Sequence, residues 1–147
     1  QRRWASVVVA DRGGRVELVQ HGEGVGWLEQ WFLARPDARV VVDVTGPAGV
    51  LAERLPNAVK LGRQDYADAC GRFFDAVVDE KVEVRSHQLL ADAVAAARTQ
   101  PVGDKWVWRR KDVDSVISPL VAASLALFGA QQPEEEPDAG FVFAMLE

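Results

Sequence analysis

Two acidic positions in this sequence could take part in metal chemistry. Asp43 interrupts the apolar run Arg39–Leu51 (RVVVDVTGPAGVL), and Asp112 and Asp114 stand in a charged segment before an apolar helix. Hard divalent cations such as Mg²⁺ and Mn²⁺ prefer oxygen ligands, and two ions about 4 Å apart can promote phosphodiester cleavage. We therefore treat Asp43, Asp114 and Asp112 as candidate catalytic acids, with Asp43 and Asp114 as the metal ligands. A complete two-metal site needs roughly three or four such acids.

A basic run lies directly before the second acidic position. It consists of Arg109, Arg110 and Lys111, with Trp106 and Trp108 beside it. Cationic side chains neutralise backbone phosphates and aromatic rings stack on bases, so the three cations are candidate DNA contacts without sequence specificity. A solvated turn would explain the same charges equally well.

The element that carries Asp43 resembles a buried parallel strand. A valine run bounded by turn residues is typical of such a strand, and ligands of open α/β sheets bind at the carboxyl ends of strands. An ionised carboxylate there needs a cation, a metal or several hydrogen-bond donors. The alternative is that Asp43 only accepts hydrogen bonds from the amides of the loop or helix that follows.

Composition indicates one globular domain. The chain has 147 residues, 48% of them hydrophobic and 27% charged, and no apolar run approaches the roughly 20 residues of a membrane-spanning helix. No signal-peptide pattern follows Gln1, so a cytoplasmic location is expected. The formal net charge of -5 argues against a general nucleic-acid coat. Cys70, the lone cysteine, lies on the apolar face of a predicted helix and is expected in the core.

The hydrophobic periodicity predicts an α/β fold with a central mixed sheet flanked by helices. Ser118 is the expected N-cap of the last helix and Gly129 its C-terminal stop. Residues 131–147 are expected to form a flexible acidic tail, with Phe141 to Leu146 a docking strand. The other predicted elements are a hairpin (4–10 and 15–20), helices at 26–33, 48–55, 64–79 and 87–98, and strands at 39–43, 58–61 and 105–109.

The order of these segments is similar to the C-terminal nuclease domain of tailed-phage terminase large subunits. The similarity runs from about Trp4 to Gly129, and its most specific parts are YADACGRFF (Tyr66 to Phe74) and SPLVAASLAL at the last helix. The resemblance implies an RNase H-like fold and an acidic cluster that binds two Mg²⁺ or Mn²⁺ ions and cuts DNA. Asp43 matches the family's second catalytic acid. The third precedes the last helix, where Asp114 or Asp112 is the nearest match and Val116 stands directly before Ile-Ser-Pro.

The resemblance has further implications and one departure. It implies double-stranded DNA as substrate, an ATPase domain, a terminase small subunit and a portal as partners, and work in the host cytoplasm during phage assembly, without a membrane. The family's first catalytic acid lies on a strand before the hairpin, and we expect that strand to be missing from this sequence. No G-x-x-x-x-G-K-[ST] loop occurs in the sequence. The expected domain therefore covers residues 1–130, lacks its first strand and does not translocate DNA by itself.

Two other functions fit the same residues. A catalytically silent domain could bind DNA or a packaging partner through this fold. Alternatively, the strand, turn and helix from Val40 to Leu55 could form an anion or nucleotide pocket, because helix N-termini favour phosphate. The Gly46-Pro47-Ala48-Gly49 turn lacks the spacing of a dinucleotide fingerprint.

Overall fold

The chain forms a mixed α/β structure. The computed structural model describes residues 3–43, 49–55 and 58–132, together with the backbone of residues 141–146. The elements in chain order are β1 (Trp4–Ala10), β2 (Arg15–Glu23), α1 (Gly26–Leu33), β3 (Arg39–Asp43), α2 (Gly49–Ala52), β4 (Ala58–Leu61), α3 (Arg63–Val78), β5 (Glu83–Val84), α4 (Gln88–Ala95), β6 (Ala97–Val102), β7 (Lys105–Arg110), α5 (Ser118–Gln131) and β8 (Phe141–Leu146).

The strands of the described residues form a six-stranded mixed sheet and a separate hairpin. The sheet has the order β4-β3-β8-β1-β2-β5, and β6 pairs with β7 outside it. Strand β8 is antiparallel to β1 on one side and parallel to β3 on the other, and β3 is parallel to β4. The carboxyl ends of β4, β3 and β8 therefore meet at one edge of the sheet, where Asp43 ends β3.

Helices cover both faces of the sheet because side chains alternate along each strand. Val40 and Val42 pack in a cluster with Leu28 and Phe32 of α1. Val41 packs in the second and larger cluster, which contains the buried faces of α3, α4 and α5. Asp43 is two residues beyond Val41, so its side chain belongs to the face that α3 and α5 cover.

Most of the predicted elements are present. The hairpin, the helix over residues 26–33, the strand that carries Asp43 and the long helix α3 all lie where the periodicity placed them. Helix α5 is buried from Ser118 through Ala130, as its uniformly apolar sequence predicted. The expected docking strand is also confirmed, since residues 141–146 form β8 inside the sheet. Residues 133–140 of the predicted tail lie outside the described residues.

The predicted helix over residues 87–98 was wrong only beyond Ala95. Helix α4 ends at Ala95, and residues 97–102 form β6 in an antiparallel ladder with β7. Gly103, at φ +63, supplies the left-handed turn between the two strands. The alanines of this stretch favour a helix, but the pairing with β7 outweighs that local preference. The predicted start at His87 is confirmed, because the His87 Nδ1 accepts a hydrogen bond from the Leu89 amide at 3.1 Å.

Two predicted ends of α5 were also wrong. Ile117 occupies the N-cap position without a side-chain cap, and Ser118 is already helical. The Ser118 hydroxyl is fully buried and bonds to the Ser6 hydroxyl at 2.8 Å instead of capping the helix. At the other end the helix passes through Gly129 to Gln131. The short helix expected over 48–55 covers only Gly49–Ala52 among the described residues.

In the described part of the chain, no helix combines the length and the apolar character that a membrane crossing requires.

Candidate functional site

Asp43 is a buried acid at the carboxyl end of a central strand. Its side chain is 3% exposed, and it is the only buried Asp or Glu among the described residues. On one side its backbone is in register with Leu61 of β4, and on the other β8 runs parallel to β3. Burial of a carboxylate is costly unless cations or donors compensate it, so Asp43 needs a compensating partner in the folded protein.

Cys70 is a buried residue of α3 whose thiol is influenced by several neighbouring groups. Burial, above all, raises the pKa of the Cys70 thiol to about 11, and the negative charge of Asp43 raises it further. Hydrogen bonds with the Trp108 backbone and the Tyr66 side chain act in the opposite direction. The thiol is therefore protonated at neutral pH. Cys70 is 0% exposed, which confirms its predicted place in the core.

The hairpin brings together the predicted basic residues and one that the sequence did not single out. Arg109 and Arg110 end β7, and Lys111 follows, with its amide bonded to the Ala96 carbonyl at 3.0 Å. Arg98 of β6 stands directly opposite Arg109 in the antiparallel ladder. All four side chains are exposed, and none forms an ion pair within the described residues.

These four cations line a cleft of about 400 Å³. Its other walls are Tyr66, Trp108, Asp112, Val113, Ile117 and Val121. Lys105, by contrast, pairs with Asp68 at 3.6 Å and lies outside the cleft. The cleft therefore places four exposed cations and one acid, Asp112, next to aromatic and apolar side chains. We call this cavity the basic cleft.

Asp112 and Asp114 lie in the exposed turn between β7 and α5. The Asp112 Oδ1 accepts hydrogen bonds from the Asp114 amide at 2.9 Å and the Ser115 hydroxyl at 3.2 Å. Asp112 thus shapes the turn, whereas the Asp114 carboxylate makes no hydrogen bond or ion pair to another described residue. Of the two acids, Asp114 has its oxygens free to coordinate a cation.

The structure does not assemble a complete metal centre from the described side chains. Within residues 3–43, 49–55 and 58–132, no group of three His, Cys, Asp or Glu side chains is close enough to hold an ion. The carboxylates of Asp43 and Asp114 have the donor chemistry that Mg²⁺ and Mn²⁺ prefer. Residues 44–48, which include most of the predicted Gly-Pro-Ala-Gly anion pocket, lie outside the described residues.

A buried polar network that sequence reasoning missed joins the β1–β2 hairpin to α5. The Ser6 hydroxyl lies 2.7 Å from the His21 Nδ1 and 2.8 Å from the Ser118 hydroxyl. The Trp4 ring stacks on His21 with centroids 5.2 Å apart. Burial, followed by the charge of nearby His87, lowers the pKa of His21. Serines 112 residues apart give no local signal, so only the fold shows this contact.

We expect the protein to lose stability as the pH falls below about 6.5, the unperturbed value for histidine. The folded state lowers the pKa of His21. Below pH 6.5 the unfolded chain therefore binds more protons than the folded chain, and the free energy of unfolding decreases. Urea unfolding at pH 7.5, 6.5, 5.5 and 5.0 measures this. In the His21→Gln variant the decline should be shallower. An equally steep decline in both proteins would contradict the assignment.

Comparison of the chain with protein-family models, curated proteins and solved structures finds no match.

Proposed function

We propose that this chain is a terminase-type nuclease domain, a divalent-metal-dependent DNA endonuclease with an RNase H-like fold that cuts concatemeric phage DNA into genome lengths. One observation carries the proposal. Asp43 is buried at the carboxyl end of β3, beside the parallel strand β4, and the same domain carries a cleft lined by four exposed cations. Acids that can hold a metal ion and cations that can hold phosphates are both used in metal-assisted phosphodiester cleavage, which is what supports the proposal.

Each part of the site has a separate task in this proposal. Arg109, Arg110 and Lys111 hold the DNA backbone by its phosphates and therefore read no sequence. Asp43 and Asp114 provide oxygen donors for Mg²⁺ or Mn²⁺, with Asp112 holding the turn that carries Asp114. Bound there, a divalent ion would neutralise charge on the phosphate and lower the pKa of the attacking water. The rigid sheet fixes Asp43, while the Asp112 turn fixes the backbone of Asp114.

Manganese binding tests the metal part of the proposal. Titration of the protein with Mn²⁺, followed by the electron paramagnetic resonance signal of the free ion, should show binding by the wild-type chain. We expect weaker binding in Asp43→Asn and Asp114→Asn and little change in Asp112→Asn. If the wild-type chain leaves millimolar Mn²⁺ free, or if only Asp112→Asn weakens binding, the assignment of the ligands is wrong.

Replacing the three predicted phosphate contacts should weaken DNA binding and its dependence on salt. On duplex DNA, log affinity falls linearly with log salt concentration, and each lost phosphate contact reduces the magnitude of this slope by about 0.9. In the Arg109→Gln, Arg110→Gln, Lys111→Gln triple variant we expect the magnitude of that slope to fall by up to about 2.7. Fluorescence anisotropy in EDTA at several salt concentrations measures it. Arg12→Gln, an exposed arginine in the β1–β2 turn, is the matched control. Equal slopes in the triple variant and the wild type would exclude these residues.

A catalytically silent DNA-binding domain is the second candidate function. The observation in its favour is that the described side chains contain no three-residue metal-ligand group. The basic cleft would then act alone, as a binding surface of the packaging machinery. DNA affinity that needs the cations of the cleft, combined with no cleavage in any divalent metal, would identify this case.

A further inference from the structure

Two arginines face each other across the β6–β7 ladder. Arg98 and Arg109 are direct cross-strand partners, so both side chains leave the same face of the hairpin, and both line the basic cleft. Like charges directly opposite each other destabilise a strand pair. No hydrogen bond or ion pair holds either guanidinium group to another described residue. The described part of the chain therefore keeps two repelling cations side by side without an acidic partner.

The neighbouring charges of the cleft do not relieve this repulsion. Asp112 forms no ion pair with either arginine, and its Oδ1 accepts hydrogen bonds from the Asp114 amide and the Ser115 hydroxyl. Arg110 follows Arg109 in β7 and leaves the opposite face of the strand. Its Nη1 donates a hydrogen bond to the carbonyl of the turn before α5, at 3.4 Å. The arginine pair, Arg98 with Arg109, is thus a separate feature of the cleft.

The backbone that carries the arginine pair is held on both sides. Trp108 leaves the face of β7 opposite Arg109, and its Nε1 donates a hydrogen bond to the buried Ser124 hydroxyl of α5 at 3.0 Å. The Lys111 amide donates to the Ala96 carbonyl at 3.0 Å, which continues the strand pairing beyond the arginine pair. These contacts fix the spacing of the two arginine backbones before any ligand binds. A site that is already formed loses less conformational freedom on binding.

A phosphate group matches two opposed guanidinium groups. Each guanidinium is planar and permanently charged, and its N–H donors form a fork that can bind two phosphate oxygens at once. Cross-strand neighbours have Cβ atoms about 5 Å apart, so two long side chains can close on one anion from two sides. A phosphate bound between them would replace one repulsion by two attractions.

We propose that Arg98 and Arg109 together bind one phosphate group, which during DNA cutting is a single backbone phosphate of the duplex. The choice of DNA rests on the proposed function, whereas the phosphate site rests on the arginine pair. Arg98 is thereby a further DNA contact, and it shares its phosphate with Arg109. Arg110 and Lys111 are left for neighbouring phosphates.

Thermal unfolding with inorganic phosphate tests the site without DNA. Phosphate replaces chloride at constant low ionic strength, and Arg12→Gln is the matched control. Without phosphate, we expect Arg98→Gln to melt about 1 to 4 °C above the wild type, because the repulsion is removed. With rising phosphate, the wild type and the control should gain stability, whereas Arg98→Gln and Arg109→Gln should gain much less. A parallel gain in all four proteins would overturn the phosphate site.

The salt dependence of duplex binding tests whether the phosphate belongs to DNA. Affinities for a 12-base-pair duplex are measured by fluorescence anisotropy in EDTA, and circular dichroism checks that each variant is folded. Either single variant keeps one cation on the shared phosphate, so the slope of log affinity against log salt concentration should change little. In the Arg98→Gln, Arg109→Gln double variant the magnitude of the slope should fall by about 0.9. A fall of about 1.8 would overturn the sharing of one phosphate, and an unchanged slope would overturn the DNA contact.

The two measurements separate the phosphate site from the proposed function. A wild-type chain that gains stability from phosphate through both arginines, but does not bind the duplex, would support the site and refute the proposed function. Duplex binding that needs neither arginine, together with no specific gain from phosphate, would refute the site and leave the proposed function standing.

Discussion

Replacing Asp43 with Asn will reduce metal-dependent DNA cleavage by at least about 100-fold and leave the fold intact. Substitution of residues that merely support a metal ligand typically costs 10- to 100-fold, so loss of a ligand charge should cost no less. Asn has almost the size and shape of Asp, and the side chain is 3% exposed, so packing around β3 should be preserved. What disappears is the negative charge that a divalent ion requires.

The measurement pairs initial cleavage rates in Mn²⁺ with thermal unfolding of each protein. Asp37→Asn is the matched control, because Asp37 is an exposed acid close to the opposite end of β3. We expect the control to keep the wild-type rate. If Asp43→Asn lowers the melting temperature strongly, Asp43→Glu keeps the charge and tests whether its position matters. A wild-type cleavage rate in a folded Asp43→Asn protein would refute the assigned role.

Deleting residues 133–147 will abolish cooperative folding of the domain. Strand β8 pairs with six residues of β1 and three of β3, and without it those two strands have no neighbour in common. The deletion thus separates β4 and β3 from β1, β2 and β5, and both apolar clusters contain residues from β1 and β3. Domains of this kind are stable by only about 5–15 kcal/mol, and loss of a central strand should remove most of it.

Thermal unfolding followed by circular dichroism, together with limited proteolysis, measures this effect. We expect the truncated chain to show no sharp transition and to be digested rapidly. A point variant tests the same pairing with less disruption. Val142 is in register with both Val9 and Val40, so Val142→Pro, which removes a backbone donor from a central strand, should be strongly destabilising. A truncated chain that melts within a few degrees of the full chain would show that β8 is not an essential strand.

The sequence was sufficient to predict an element and its burial where the local pattern of residues and the final packing agree. The valine run that ends at Asp43 is bounded by turn residues, and both its strand and its burial were predicted correctly. The apolar sequence of α5 likewise predicted a core helix. The strand over residues 141–146 was expected, but its place between β1 and β3 was not. That place depends on pairing with residues more than 100 positions away, which no local pattern shows.

The site was predicted less completely than the fold, for an identifiable reason. The alanine-rich stretch after His87 continued the helical pattern through Arg98, so the strand that faces β7 was missed. Because that strand was missed, the pairing of Arg98 with Arg109, which both line the basic cleft, was missed as well. The Gly103-Asp104 turn directly before the Lys105–Arg110 strand was the signal that could have indicated a hairpin. The roles of Asp112 and Asp114 needed the hydrogen bonds of their turn.

Nicking of supercoiled plasmid by the wild-type chain tests the central claim most directly. The purified protein is incubated with plasmid in Mn²⁺, in Mg²⁺ and in EDTA, and the open-circular and linear products are quantified over time. The account predicts cutting in at least one of the two metals and none in EDTA. A folded protein that binds the plasmid but leaves it supercoiled in both metals would contradict the nuclease assignment and favour the silent DNA-binding domain.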